Sequence, residues 1–163
     1  MTDDEIRILL ADDHDGVRLG IRNLLESRMG WRVCGEAANG EEAVRLAALL
    51  KPDIAVLDLE MPLLDGLEAT RQIKRSSPNI HVLIFTMHDV QDFIDEVRVA
   101  GASACVPKSD GGNKLIEAIK AISATMSFFD DKAPEAAAAR VRRTQPAAHT
   151  NRPIESAPDK RYF

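Results

Sequence analysis

Five short apolar runs, each followed by a stretch whose apolar residues recur at helical spacing, leave this chain little choice of architecture. The runs are Ile6–Ala11, Trp31–Ala37, Ile54–Leu59, Ile80–Thr86 and Ser103–Val106. Between them, Val17, Ile21, Leu24 and Leu25 fall on one helical face, and Ala43, Val44 and Ala47 on a second. Leu67, Thr70 and Ile73 define a third face, and Phe93, Ile94, Val97 and Ala100 a fourth. The clearest is the last, Leu115, Ile116, Ile119, Ile122 and Met126. Strands that alternate with amphipathic helices form βαβ units, so a parallel sheet covered on both faces is expected. Ile8–Leu10, Ile54–Leu57 and Val82–Phe85 are apolar at every position, as central strands buried on both sides must be.

The expected class is an α/β, doubly wound (βα)5 three-layer sandwich; right-handed crossovers put the first strand in the middle if the order is the flavodoxin-like 2-1-3-4-5, the order expected here. At 163 residues the chain is long enough to bury roughly 70% of its unfolded surface without a staple. Its two cysteines, Cys34 and Cys105, form no C-x-x-C pair. They are expected on opposite sheet edges, beyond disulfide reach. No apolar run approaches the roughly 20 residues that span a bilayer, and the N-terminus is acidic rather than signal-like. A cytoplasmic protein with no membrane partner is expected.

Charge is distributed unevenly. Residues 1–129 carry a balance of −7 and residues 130–163 one of +2. An acidic body lacks the basic face that phosphate contacts require, so direct nucleic-acid binding is not expected. Residues 128–163 hold half of the eight prolines and little to bury, which reads as a Pro/Ala-rich, disordered tail following a domain over 5–127.

Ligands of such a sheet bind beyond the carboxyl ends of the strands, where the winding reverses. Four strand ends carry polar residues there: Asp12-Asp13-His14, Asp58-Leu59-Glu60, Thr86-Met87-His88 and Lys108. Either Asp12 or Asp13 could serve as a helix cap, but capping needs only one of them. Asp58, closing an apolar strand, has no such explanation. Converging carboxylates repel one another and call for a hard cation with oxygen ligands, for which Mg2+ is suited. Asp58 is then the natural nucleophile toward phosphorus, with Asp12 and Asp13 holding the metal directly or through water. Lys108 and the Thr86 hydroxyl would stabilise charge on the transferring group. His14 and His88 read as loop residues near the site rather than ligands.

These residues, together with Asp65-Gly66 and Gly101–Lys108, resemble the receiver domain of bacterial two-component response regulators, most closely the NarL/FixJ branch. The resemblance covers about residues 5–127. It implies that Asp58 accepts a phosphoryl group from a histidine kinase or phosphotransfer protein. It also implies that Asp13, Asp58 and the main-chain carbonyl of Glu60 bind Mg2+, with Asp12 acting through water. Thr86 and Lys108 would then read the phosphoryl group. Two departures stand out. The family's usual aromatic switch residue, three positions before the lysine, is Cys105 here. And nothing after Phe129 has the pattern of a helix-turn-helix.

The expected function is therefore a receiver that catalyses only its own phosphorylation and dephosphorylation and signals to a downstream protein partner, with a homodimer among the possibilities. The alternative is the receiver part of a NarL/FixJ-type DNA-binding regulator lacking its output domain. An aspartyl-phosphate hydrolase of small metabolites is disfavoured, because such enzymes want an Asp where Glu60 stands. Glu60 and His88, each two positions beyond a motif residue, are expected to tune the lifetime of the phosphorylated form.

Overall fold

The computed structural model describes residues 5–130. The order is β1 (Ile6–Ala11), α1 (Asp15–Glu26), β2 (Trp31–Ala37), α2 (Gly40–Leu50), β3 (Ile54–Leu57), α3 (Gly66–Ser76), β4 (His81–Thr86), α4 (Ile94–Ala100), β5 (Ala104–Pro107) and α5 (Gly112–Asp130). All four strand pairings are parallel, in the order β2-β1-β3-β4-β5. This is the doubly wound sheet expected from the alternation. The expectation for the tail beyond residue 130 lies outside the described residues.

The pleat sorts the core into two layers. Ile8 and Leu10 of β1 face one side with Val56, Leu83, Leu25 and Ile119; Leu9 and Ala11 face the other with Leu57, Ile84, Ala47 and Ile73. Thus α1 and α5 cover one face of the sheet, and α2, α3 and α4 the other. Leu115, Ile116, Ile119 and Ile122 of α5 are all buried, each worth about 1.5–3 kcal/mol in transfer from water. Among the described residues, no helix is long and apolar enough to cross a membrane.

The turn residues act as caps. Asn39 accepts the Glu42 N–H at 2.8 Å to start α2, and Asp65 accepts the Glu68 N–H at 2.8 Å to start α3. Between β3 and α3 the chain doubles back sharply. The Leu64 N–H donates to the Pro62 carbonyl at 2.8 Å around Leu63, whose φ of 69° lies in the left-handed region that costs a branched residue energy. That strained, exposed leucine stands five residues after Asp58, where the loop must fold back over the strand end.

Element edges differ from the sequence pattern by one or two residues. β3 stops at Leu57 rather than Leu59, β4 begins at His81, and β5 is shifted one residue later. Val17 is 40% exposed although it shares a helical face with buried Ile21 and Leu25. Phe93 caps α4 rather than lying within it, because a 3-10 turn over Val90–Asp92 comes first. A register shift between β1 and β2 passes over Cys34. Both cysteines are free, on the two edge strands.

Candidate functional site

β1, β3 and β5 deliver three charged side chains to one point. Lys108 Nζ lies 2.5 Å from Asp12 Oδ2 and 2.9 Å from Asp58 Oδ2. Asp12 and Asp58 are buried at 1% and 7% exposure, and the Lys108 side chain is also largely covered. Burial pushes the Asp58 carboxyl above its ordinary range and the Asp12 charge adds to this, with Lys108 opposing both. For Lys108, burial pulls the ammonium down. The two carboxylates together outweigh that pull, so its pKa is raised.

The backbone explains why Asp58 stands where it does. Its N–H still donates to the Ala11 carbonyl at 3.0 Å, extending the β1–β3 ladder by one bond after the regular strand ends. The returning loop then ties Gly66 N–H to the Leu59 carbonyl at 2.8 Å. Gly66 approaches so closely that a Cβ there would run into the Asp58 carbonyl. Strand end and helix start are thus pinned together around the acid.

Asp12 uses every polar atom it has. Its N–H donates to the Ala37 carbonyl, Oδ1 accepts the His14 N–H at 2.9 Å, Oδ2 meets Lys108, and its carbonyl accepts from the Arg18 guanidinium at 2.6 Å. Neither Asp12 nor Asp13 is the N-cap of α1; that position is His14. Asp13 projects to solvent, with Oδ1 3.0 Å from His14 Nδ1. Asp12, Asp13 and His14 offer donor atoms all within 4.8 Å of one another. The buried member of this set is the Asp12 carboxylate and the exposed Asp13 supplies a second, so a hard, oxygen-preferring cation fits it.

An open cleft of about 320 Å³ lies over these groups, with Asp13, Asp58, Glu60, His88 and Lys108 on its walls. Val17 and Met87 form its apolar rim, which accounts for the exposure of Val17. Thr86 is wholly buried behind the rim, its Oγ1 accepting the His88 N–H at 3.2 Å. Sequence reasoning placed Glu60 and His88 separately near the site. The structure joins them, His88 Nε2 to Glu60 Oε1 at 2.7 Å, across the mouth of the cleft. The His88 ring also meets Phe93 edge-on, centroids 5.6 Å apart. Cys105 is half-buried on β5, and burial pushes its thiol up to about 11, so it stays neutral at pH 7. The residue the sequence reading overlooked is Arg18. Its spacing six positions after Asp12 carried no motif signal.

A five-stranded doubly wound sheet with an acidic triad and a lysine at its carboxyl edge defines a receiver. Residues 8–120 match the family model described as the response regulator receiver domain, and the chain belongs to that family. It is similar to the response regulator GacA of Pseudomonas aeruginosa, 34% identical over 155 residues, covering 95% of this chain and 71% of that protein. The response regulator UvrY of Escherichia coli is 38% identical over 117 residues, 72% of this chain and 54% of UvrY. The chain thus spans little more than half of that relative. Among solved structures, a two-component response regulator of the LuxR family from Aurantimonas sp. superposes with a TM-score of 0.72 at 45% identity, covering 74% of this chain and 86% of that one.

Proposed function

We propose that this receiver takes a phosphoryl group on Asp58 from a histidine kinase or phosphotransfer protein and passes its state to a downstream protein partner. The observation that carries the reading is the Lys108 ammonium held between the buried Asp12 and Asp58 carboxylates at the cleft floor. Asp12, Asp13, Asp58 and the Glu60 carbonyl would hold Mg2+, which when bound supplies positive charge to the transferring group. An Asp58 carboxylate oxygen attacks the donor's phosphorus while the bond from phosphorus to the leaving atom breaks, and that atom keeps the electron pair. Lys108, freed from Asp58 as the carboxylate becomes an acyl phosphate, pairs with a phosphoryl oxygen. Thr86 donates its hydroxyl hydrogen to the same group, turning the Oγ1 that accepts the His88 N–H. The change at Thr86 reaches His88 and, through its ring, Phe93 at the start of α4. Cys105 keeps the place of the usual aromatic as a neutral packing group. We read residues 5–127 as the receiver domain, acting on its own aspartyl phosphate alone.

Intact mass after incubation with Mg2+ and acetyl phosphate tests this. One added phosphoryl group in the wild type and none in Asp58→Ala supports the site; no gain in either overturns it.

The Glu60–His88 pair bridges the loops after β3 and β4, between the cleft and bulk water. Glu60→Asn removes both the bridge and a charge that repels the attacking water's lone pairs. We expect the phosphorylated form to decay several-fold faster, and His88→Ala to act in the same direction. Loss of the added mass after donor removal gives the rate; wild-type decay in both variants removes the pair from the mechanism.

A further inference from the structure

We propose that Arg18 is a positioning residue for divalent-cation binding, holding the β1–α1 turn in the shape that presents Asp12 and Asp13 together. The inference rests on the reading of these two acids as the metal-binding pair. Arg18 sits one helical turn into α1, with its side chain 17% exposed. Three groups share its guanidinium: Nη1 donates to the Asp12 carbonyl at 2.6 Å, Nη2 to Asp15 Oδ1 at 2.7 Å, and Nε lies 3.4 Å from Glu36 Oε1 on β2. Glu36 is itself held from the other side, its Oε2 accepting from Arg22 at 2.8 Å.

The Asp12 carbonyl belongs to the peptide that joins the two acids, so fixing it fixes the plane from which Asp13 departs. Asp12 has its carboxylate anchored by His14 N–H and Lys108, whereas Asp13 is one-third exposed and, among the described residues, pairs with the exposed His14. The aim of Asp13 therefore depends on the main chain behind it. A planar fork can hold a carbonyl and two carboxylates at once; an ammonium on a flexible stem cannot hold that geometry. Asp15 and Glu36 also offset the arginine's charge, so its presence beside a cation site does not simply repel the cation.

If Arg18 acted only as a nearby positive charge, its removal would tighten Mg2+ binding. If it positions the turn, removal weakens binding. Outer-shell partners that orient ligands are worth about 10–100-fold in metal affinity, and a contact made through the main chain should lie below that. Titration calorimetry with MgCl2 on the full chain is expected to show about threefold to tenfold weaker binding for Arg18→Met. Arg18→Lys, which keeps the charge and loses the fork, should fall between Met and wild type. With acetyl phosphate, the Mg2+ concentration for half-maximal uptake should rise while the plateau stays.

Equal or tighter binding in Arg18→Met overturns the proposal. Should that variant fail to fold by circular dichroism, Arg18→Lys decides: wild-type affinity there overturns it as well. Asp13→Asn separates the two levels. If Asp13→Asn binds Mg2+ like the wild type, the metal reading of the pair is wrong and the role of Arg18 falls with it. If Asp13→Asn is weak and the arginine variants are not, only the role of Arg18 falls.

Discussion

Asp58→Asn is expected to abolish phosphoryl uptake and, in metal-free buffer at neutral pH, to melt a few degrees higher than the wild type. The first effect follows from removing the proposed nucleophile; the amide oxygen is neutral and cannot form the acyl phosphate. The second follows from burial. Desolvation, with Asp12 adding to it, raises the Asp58 carboxyl above its unfolded value despite Lys108. A group raised on folding contributes stability that is complete below its unfolded pKa, about 3.9 for Asp, and is lost as pH rises through the folded value. At neutral pH the ionised carboxylate is therefore a cost to the fold, and the amide removes it. Melting curves across pH should coincide near the acid end and separate above it, with the variant higher. Saturating Mg2+ stabilises whichever state binds it. It should raise the wild type more than the variant, narrowing or reversing the gap. A variant that melts lower in metal-free buffer at neutral pH would show that Lys108 outweighs desolvation, contrary to this account.

The sheet was legible because its central strands are apolar at every position, a pattern few other architectures require. Asp12, Asp58, Thr86 and Lys108 stood out for the same reason: each breaks that pattern at a strand end, and parallel strands bring those ends to one edge. What the sequence concealed depends on directions that spacing does not encode. The Glu60–His88 bridge joins loops 28 residues apart in the chain, and neither loop has a period from which to read where its side chains point. Arg18 carried no motif signal because two of its three partners are a main-chain carbonyl and a residue on the neighbouring strand. Val17 shares a helical face with Ile21 and Leu25, but the helix rotates it onto the cleft rim, where apolar surface stays exposed. β3 ended earlier than its apolar run because Leu59 leaves the ladder to accept the Gly66 N–H, a bond set by the loop that follows.

Lys108→Met is expected to be the most destabilising single change at the site. Its ammonium contacts both buried carboxylates, so its removal leaves two acids facing each other without that cation. Breaking a buried ion pair from one side costs about 3–5 kcal/mol, because the stranded charge loses its partner but not its desolvation. In metal-free buffer the variant should melt well below the wild type. Phosphoryl uptake from acetyl phosphate should fall by roughly 10²–10³-fold, the scale for losing one charge-stabilising donor in a transfer site. The same electrostatics predicts two rescues. Mg2+ should recover much of the lost stability by supplying positive charge to the same carboxylates, without restoring uptake. Adding Asp58→Asn to Lys108→Met should also recover stability, since it removes one of the two opposed acids. The double variant would then be more stable than Lys108→Met alone, and the two substitutions strongly non-additive relative to wild type. If Lys108→Met melts with the wild type in the absence of metal, the carboxylates do not depend on the lysine. The cleft floor would then be held by the Ala11, Ala37 and His14 backbone contacts alone.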